Sequence, residues 1–553
     1  MRTWGPSGAG AAIRRAQGAS SYARQWGCSV DEATETSGPS LSRRRFLKGA
    51  GAAAAVAAFP LGTAGATNAF GRQRAKRAGR VVIVGGGIAG LGCAYRLWQH
   101  HGIRADVFEY DTVPGGRIRT LRGFFDDGQL VEQHAEFINP EHTATLSLAS
   151  SFGLALDNAD RYPPGTRSQQ ETMRFGGRSF SQAALDRDWH DWGWQLFHDA
   201  AFNKAPWPTL YDRSTEWARK FDHMSVTEWI DTYVPGGAGS DFGSVCVAAV
   251  LDEFGGPPDE QSALNLVYLL GQDASRGSGT QPQARPRLGG ADEKWHIHGG
   301  NDQLISGLVD GLPGGAIHLD QQLVAVSMNS SGSYTCSFLS DAATHDVSAD
   351  HVVLALPFTT LSRVDLSGVS ISPLHRRAIN EEPLGTNSKF FVQFTDRVWN
   401  AEHWSGNVFC GGPVQGGWDP TIYQAGPSGI LAALPGGTEG DGWGRRYGLT
   451  SYAGRPPDAM VVDFLDNWDQ LFPGVKAAYN GNSYFVWSPG DPHILGAYSY
   501  LKVGQFTAFN GIQSQREGNL HFAGEHTSVN FQGYIEGALR SGYRCATEVP
   551  ARG

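Results

Sequence analysis

This chain has few cysteines, no excess of positive charge and no long apolar run. Its six cysteines lack the spacing of zinc ligands or of a disulfide framework, so neither a metal site nor disulfide bonds are predicted. The formal net charge of −9 argues against nucleic acid as a partner. The apolar stretch at 49–58 is short, rich in Ala and Gly and followed by Pro60, which argues against a membrane-spanning helix. The 553 residues, 41% of them hydrophobic, therefore predict a large globular chain with two or three packed regions.

The N-terminal region has the order of an export signal. The motif Ser-Arg-Arg-Arg-Phe-Leu-Lys at 42–48 precedes the apolar stretch at 49–58, and small residues at 64–66 are candidates for cleavage. This order is typical of the twin-arginine pathway, which exports folded proteins that already hold their cofactor. We predict that 1–66 is a twin-arginine signal region, that the export machinery is a partner, and that the mature protein is periplasmic or lies on the extracellular, cell-wall side.

The most informative stretch is 81–90, an apolar β-branched run that leads directly into three glycines. Gly85, Gly87 and Gly90 have the spacing of a dinucleotide-binding turn. Gly85 permits the tight turn, Gly87 lets the backbone approach a pyrophosphate, and Gly90 lets the following helix pack against the strand. A second apolar segment ends in Glu109, about 20 residues downstream, where a carboxylate binds a ribose hydroxyl. A bound dinucleotide is therefore predicted.

The pieces of this nucleotide-binding region are separated in the sequence. A second glycine turn at 115–117 is unnecessary in a simple NAD domain, and strand-like segments return after a helical, Trp-rich stretch at 141–275. We predict an α/β fold with two kinds of domain. The nucleotide-binding domain comprises 78–140, 293–365 and 505–550, and a mixed helical and antiparallel-sheet substrate-binding domain comprises 141–292 and 366–504.

Four separated motifs carry a family resemblance, in the order that the family shows. They are the fingerprint Gly85–Gly90 with Glu109, the turn Gly115–Arg117, the segment His298–Gln303, and the paired segments Phe522–Thr527 and Gly533–Ala538. From about residue 80 to its end, the chain thus resembles the flavin-containing amine oxidases, which include monoamine, polyamine and L-amino-acid oxidases. The resemblance implies a two-dinucleotide-binding-domain flavoprotein, with FAD in a discontinuous Rossmann-like domain.

The resemblance also implies which residues hold the FAD. Glu109 would bind the adenosine ribose, and Gly116 and Arg117 would meet the pyrophosphate side with backbone and guanidinium. Val324 occupies the place where the family's backbone grips the adenine. Trp487 resembles the tryptophan that packs near the flavin ring.

At the end of the chain, Gly524 and Glu525 precede a helix whose N-terminus would point at the flavin. Ala497 stands where the mitochondrial-type monoamine oxidases have a cysteine bonded to the flavin. The resemblance therefore implies that FAD is held without a covalent bond.

Three residues are implied in the chemistry. Lys389 matches the family lysine that holds a water against flavin N5 and supports reaction with oxygen. Tyr498 and Tyr534 fall where amine-oxidising members place two rings around the substrate nitrogen, and such a cage attracts an ammonium by cation–π interaction. The expected reaction takes a primary or secondary amine to an imine and then an aldehyde, while O2 becomes H2O2. No general base is assigned, because a neutral amine needs none.

Three alternatives remain open on the same scaffold. An L-amino-acid oxidase would need an arginine that the stretch at 134–139 lacks, unless Arg119 supplies it. Glu136 in that stretch would repel a carboxylate if it faced the cavity, and would instead hold a second cationic group of a diamine, or it caps the flavin side. The others are a non-amine FAD desaturase or dehydrogenase and a catalytically idle FAD-binding protein. A small-molecule amine and O2 are the predicted partners, with a homodimer as a candidate assembly.

Overall fold

The computed structural model describes residues 79–159, 172–275, 293–401 and 403–549, with the side chains of 272–275 left out of the description. The predicted signal region at 1–66 lies outside these residues. Within the described part of the chain, no helix combines the length and apolar character needed to cross a membrane.

The described residues form helices and strands throughout. The strands are β1 (Val81–Val84), β2 (Ala105–Phe108), β3 (Thr120–Leu121), β4 (Val131–Glu132), β5 (Leu156–Asn158), β6 (Thr172–Phe175), β7 (Arg178–Phe180), β8 (Trp295–Ile297), β9 (Ile317–His318), β10 (Gln322–Met328), β11 (Tyr334–Ser340), β12 (Ala343–Ala349), β13 (His351–Leu354), β14 (Asp365–Gly368), β15 (Lys389–Phe394), β16 (Val408–Cys410), β17 (Gly416–Trp418), β18 (Gly429–Ala433), β19 (Ala453–Gly454), β20 (Tyr479–Val486) and β21 (Leu520–Phe522). The α-helices are α1 (Ile88–His101), α2 (Thr143–Ser151), α3 (Gln182–Asp188), α4 (Trp194–His198), α5 (Glu216–Asp222), α6 (Val226–Tyr233), α7 (Asp241–Phe254), α8 (Ala263–Ser275), α9 (Gln303–Asp310), α10 (Phe358–Leu361), α11 (Pro373–Glu381), α12 (Val398–Ala401), α13 (Gly437–Arg446), α14 (Asp458–Leu471), α15 (Gln505–Phe509) and α16 (Ile535–Glu548).

A five-stranded parallel sheet has the order β21-β13-β1-β2-β9. Its central strands β1 and β13 are buried at every position, which explains their continuous Val, Ile and Leu runs rather than an alternating pattern. Helix α1 connects β1 to β2 as the crossover that neighbouring parallel strands require. The strands come from three separated parts of the sequence, which confirms the predicted α/β class and its discontinuous parallel sheet.

Two larger sheets and two two-stranded sheets, β3-β4 and β5-β8, accompany the parallel sheet. A four-stranded sheet has the order β12-β11-β10-β14, and a mixed eight-stranded sheet has the order β19-β20-β15-β18-β17-β16-β6-β7. The parallel sheet takes its strands from the ranges predicted for FAD, and the eight-stranded sheet takes its strands from the ranges predicted for substrate. Strand β14 straddles the predicted boundary at 365, and the domain division itself stays a proposal.

The glycine turn after β1 has the three properties expected from its spacing. Gly85 has φ +106°, and a Cβ there would lie 2.5 Å from the Ala355 carbonyl oxygen. A Cβ on Gly90 would lie only 2.0 Å from the Gly85 carbonyl oxygen, because α1 packs directly on the turn. At Gly87, by contrast, a Cβ would meet no atom within 4 Å. Two glycines therefore permit close packing, and the third borders open space.

We expect Gly90→Ala to destabilise the protein by about 1–3 kcal/mol, since overpacking against a backbone oxygen costs more than the roughly 1 kcal/mol that alanine gains in a helix. Gly442→Ala in α13 is the matched control, because a Cβ there meets nothing within 4 Å. Thermal unfolding of the flavin-loaded proteins measures both. A Gly90→Ala variant as stable as Gly442→Ala would contradict the packing account.

Candidate functional site

A cavity of about 880 Å³ lies at the carboxyl ends of the parallel strands. Residues that directly follow β1, β2, β13 and β21 line it, as is general for ligand sites in open parallel sheets. The eight-stranded sheet contributes Lys389 and Trp418 to the other wall. Eleven of the thirteen predicted site residues line this cavity: Gly85, Gly87, Glu109, Gly116, Arg117, Val324, Lys389, Tyr498, Gly524, Glu525 and Tyr534.

Gly90 and Trp487 do not line the cavity. Gly90 lies beneath the glycine turn, as its predicted packing role requires. Trp487 has its ring against Gly444 and Gly490, and its Nε1 donates a hydrogen bond to Asp441 at 3.1 Å. The contacts of Trp487 therefore do not support the prediction that it packs beside the flavin ring.

The N-terminus of α1 suits a pyrophosphate. Gly87 is the N-cap, no side chain caps the helix, and no acidic residue occupies its first turn. Gly116 approaches Gly87 closely, and the Gly115 N–H donates to the Gly86 carbonyl oxygen at 2.9 Å, so two glycine turns meet here. Uncapped N–H groups and the positive end of the helix dipole favour an anion in the open space beside Gly87. This cradle fits a dinucleotide phosphate group.

Glu109 closes the same turn from the end of β2. Its two carboxylate oxygens accept hydrogen bonds from the Gly86 N–H at 2.5 Å and from the Asp111 N–H at 2.8 Å. Burial raises the pKa of Glu109, and the two N–H donors oppose that shift. A carboxylate has about four lone-pair sites, so Glu109 retains acceptor capacity toward the cavity that it lines.

Val324 lies on β10 at a bulge between Leu323 and Ala325 and is left out of the pairing with β11. It also lines the cavity. The backbone of Val324 is therefore not paired in the β10–β11 ladder. A backbone contact with an adenine requires such an unpaired residue.

Arg117 forms an ion pair with Glu525 that the sequence did not indicate. Its Nη1 donates to Glu525 Oε1 at 2.9 Å and to the Ala497 carbonyl oxygen at 2.5 Å. Glu525 also accepts from the Ser499 N–H and hydroxyl and from the Gly533 N–H. Burial alone would raise the pKa of Glu525, but Arg117 and the other contacts hold it below its usual value, so this carboxylate stays ionised.

Lys389 is buried and paired with Glu136. Its Nζ donates to Glu136 Oε2 at 2.7 Å and to the Glu132 carbonyl oxygen at 3.2 Å, and the Trp418 Nε1 donates to the other oxygen of Glu136 at 2.9 Å. Lys389 is 5% exposed and Glu136 is 6% exposed. Glu136 lines the cavity and Lys389 compensates its charge, so a role of Glu136 toward a substrate stays a prediction.

Tyr498 and Tyr534 line the cavity and are anchored at the same helix end. The Tyr498 hydroxyl donates to the Asp252 carbonyl oxygen at 2.6 Å, and the Tyr534 hydroxyl donates to Glu253 Oε1 at 2.5 Å. Burial, together with nearby carboxylates, raises the pKa of both hydroxyls well above the usual value. Both tyrosines therefore stay protonated, and the last turn of α7 fixes their hydroxyl ends.

Two residues beside the cavity bear on carboxylate binding. Burial and the nearby Lys389, Arg119 and Arg117 lower the pKa of His134 to about 3, so its ring is neutral. Arg119 is ion-paired with Asp111 and donates to the Gly116 carbonyl oxygen at 3.0 Å. Neither residue presents an uncompensated positive charge.

A known protein family matches most of this chain. The profile described as flavin containing amine oxidoreductase matches residues 88–550. The chain belongs to this family. It is a flavin-dependent oxidoreductase, and the predicted family is confirmed. A second profile, for the twin-arginine translocation pathway signal sequence, matches residues 40–60 and confirms the predicted export signal.

Individual relatives agree with this family. The flavin-containing amine oxidase B of Cavia porcellus is 25% identical over 488 residues, which cover 85% of each chain. The protein of the same name from Homo sapiens is 23% identical over 488 residues, again covering 85% of each chain.

Solved structures of similar fold include cyclohexylamine oxidase from Brevibacterium oxydans, with a TM-score of 0.68 and 19% identity. Putrescine oxidase bound to putrescine has a TM-score of 0.69 and 19% identity. Each match covers 86% of this chain and 99% of the other. These likenesses confirm the predicted flavoprotein fold class.

Sequence reasoning missed Glu253 and Trp418, which this flavoprotein places in the cavity wall. Asp252 and Glu253 lie near the end of a largely apolar helix, and two glycines follow that helix, which is a visible but unspecific signal. The sequence offered no sign that Trp418 would contact Glu136. No group of three or more His, Cys, Asp or Glu residues able to hold a metal occurs in the described ranges.

We expect Glu136→Gln to destabilise the folded protein by about 3–5 kcal/mol, because it leaves the buried Lys389 ammonium without a compensating charge. The double variant Glu136→Gln/Lys389→Met removes both charges and recovers most of that loss. Denaturant unfolding of the wild type, the two single variants and the double variant gives the coupling free energy between Glu136 and Lys389. Additive effects of the two substitutions would contradict a direct ion pair.

Proposed function

We propose that this family member is an FAD-dependent amine oxidase that acts on primary or secondary amines and passes the electrons to O2, forming H2O2. The observation that carries the proposal is the half-buried pair Tyr498 and Tyr534 in the cavity wall, whose hydroxyls are anchored to adjacent residues at the end of α7. Two aromatic rings with fixed hydroxyls suit an amine nitrogen, which they attract as a cation and shield from water.

The charges in the cavity favour an amine over an amino acid. A carboxylate substrate needs an available cation, as L-amino-acid oxidases provide with an arginine. Four lysine and arginine side chains line the cavity, and three of them, Arg117, Arg119 and Lys389, already have a carboxylate partner, whereas Arg363 follows β13 and α10 in the chain. Binding a carboxylate at one of these three paired cations would break its ion pair, whereas an amine leaves all three pairs intact.

FAD, when bound, supplies the acceptor for the hydride equivalent removed from the carbon beside the nitrogen. The side chains of this chain bind and orient the substrate. The tyrosine rings hold the amine, and their protonated hydroxyls donate hydrogen bonds away from it. Lys389 uses two of its three N–H donors on Glu132 and Glu136, and the third is proposed to hold the water that supports reaction with oxygen.

The cofactor is proposed to be FAD held without a covalent bond. The glycine cradle, Glu109 and Val324 provide sites for pyrophosphate, ribose and adenine. None of the five cysteines in the described ranges lines the cavity, and Ala497 lines it where a flavin-bonded cysteine would stand. The twin-arginine signal supports export, and we place the mature enzyme in the periplasm or on the extracellular, cell-wall side.

We expect the purified protein, starting at residue 67, to be yellow and to release its flavin into the supernatant after acid precipitation. Anaerobic addition of cyclohexylamine, benzylamine, putrescine, spermidine or L-leucine tests the substrate class by bleaching of the flavin. Amines should bleach it, and admitting air should release H2O2. Bleaching by L-leucine alone would favour an L-amino-acid oxidase, and bleaching by none would favour a non-amine desaturase or dehydrogenase.

We expect Tyr534→Ala to lower kcat/KM by about 10-fold or more for the amine that bleaches the flavin most effectively. The variant loses a cation–π contact worth roughly 0.5–2 kcal/mol, and the enlarged cavity admits water. Tyr447→Ala is the control, because Tyr447 does not line the cavity. Steady-state H2O2 production measures both variants. Unchanged amine turnover in Tyr534→Ala would remove the aromatic cage from the proposal.

A further inference from the structure

Glu253 presents a carboxylate to the cavity at the tyrosine pair. It lies in the last turn of α7, one residue before the helix ends at Phe254, and it lines the cavity. Its Oε1 accepts the hydrogen bond from Tyr534, whereas its Oε2 has no hydrogen-bond partner within the described ranges. One carboxylate oxygen is therefore fixed by the cage, and the other is available to a substrate.

The surroundings of Glu253 allow it to exchange a proton near neutral pH. The titratable groups that face this corner are Tyr534 and Tyr498 on neighbouring segments, Asp252 on the same helix and Glu293 at the edge of the cavity. Burial raises the pKa of Glu253 to about 7, and the Tyr534 hydrogen bond opposes the shift. The negative end of the α7 dipole also disfavours the charged form of Glu253, as burial does.

An amine substrate creates a need for such a group. Alkyl amines resemble the Lys side chain, whose pKa is about 10.4, so they reach the enzyme as ammonium ions. Oxidation requires the nitrogen lone pair, which the ammonium form does not have. Lys389, Arg117 and Arg119 are cations with carboxylate partners, and none of them is suited to take a proton from an ammonium.

We infer that Glu253 is the proton acceptor that converts the bound ammonium into the reactive neutral amine, a role that rests on the proposed amine oxidation. The ammonium N–H bond breaks and its electron pair stays on nitrogen, while an O–H bond forms on the Glu253 carboxylate. No electron leaves the substrate in this step. Tyr534 keeps the carboxylate in position through its hydrogen bond.

The decisive variant is Glu253→Gln, which keeps the size of the side chain and removes its basicity. In the wild type, the second-order rate constant for anaerobic flavin reduction by cyclohexylamine or putrescine should rise with pH, with its midpoint near pH 7, and then level off. In Glu253→Gln the rise in the rate constant around pH 7, which we call the neutral limb of the pH profile, should be absent. The rate constant should instead rise about tenfold per pH unit, starting about 1,000-fold below wild type at pH 7 and approaching it above pH 10, because only the neutral amine then reacts.

Further variants separate proton acceptance from a structural role. Glu253→Asp should keep the neutral limb. Tyr534→Phe retains the ring but removes the bond that stabilises the charged carboxylate, so the neutral limb should move to higher pH. Glu260→Gln, which removes an exposed carboxylate paired with Lys502, is the control and should match wild type. A Glu253→Gln profile that keeps the neutral limb of the wild type, or that falls by one factor at every pH, would overturn the inference.

Infrared spectroscopy of the holoenzyme tests the same group without substrate. A neutral-carboxyl band should titrate near pH 7 in wild type and be absent from Glu253→Gln. If no amine reduces the flavin in any variant, the proposed function fails regardless of this band. If amines do reduce the flavin but the band is missing from wild type, the inference about Glu253 fails while the proposed function stands.

Discussion

The site depends on one buried carboxylate, Glu525, which joins the segments around residues 117, 499 and 533. It accepts hydrogen bonds from Arg117 after the second glycine turn, from Ser499 and from Gly533. Ser499 follows Tyr498 directly, and Gly533 precedes Tyr534 directly. Glu525 thus fixes the backbone next to both cavity tyrosines and connects it to Arg117, which follows the second glycine turn. Its depressed pKa means that these donors meet a full negative charge.

The electrostatics of the cavity follow from pairing. Lys389, Arg117 and Arg119 each have a carboxylate partner, and the buried Lys389–Glu136 pair also receives a hydrogen bond from Trp418. Such pairs are costly to break, because a lone buried charge is left behind. Glu253 differs from these carboxylates, since its partner is a neutral tyrosine. The amine substrate that we propose would therefore leave these three ion pairs intact when it binds at the tyrosine pair.

The parts of this site that could be predicted from sequence are those fixed by local spacing. The Gly85, Gly87 and Gly90 turn follows from sterics within ten residues. The family resemblance rests on four short motifs, and it implied Lys389, Tyr498 and Tyr534. The partners of these residues could not be predicted, because Lys389 and Glu136 are 253 positions apart and Tyr534 and Glu253 are 281 positions apart. Residues so far apart in the sequence come into contact only when the chain folds, and local periodicity does not indicate such contacts.

The parallel sheet also determines when the cofactor cradle can exist. Strand β21 pairs with β13, which pairs with β1, so residues near 520 complete a sheet that begins at Val81. Pairings of such long sequence separation form late, because the loops between them must close first. A ribosome-bound chain still lacking its last strand cannot finish the wall behind the glycine turn. A nucleotide can therefore bind only after β21 has been synthesised and the sheet has formed. The twin-arginine pathway likewise exports chains that have already folded.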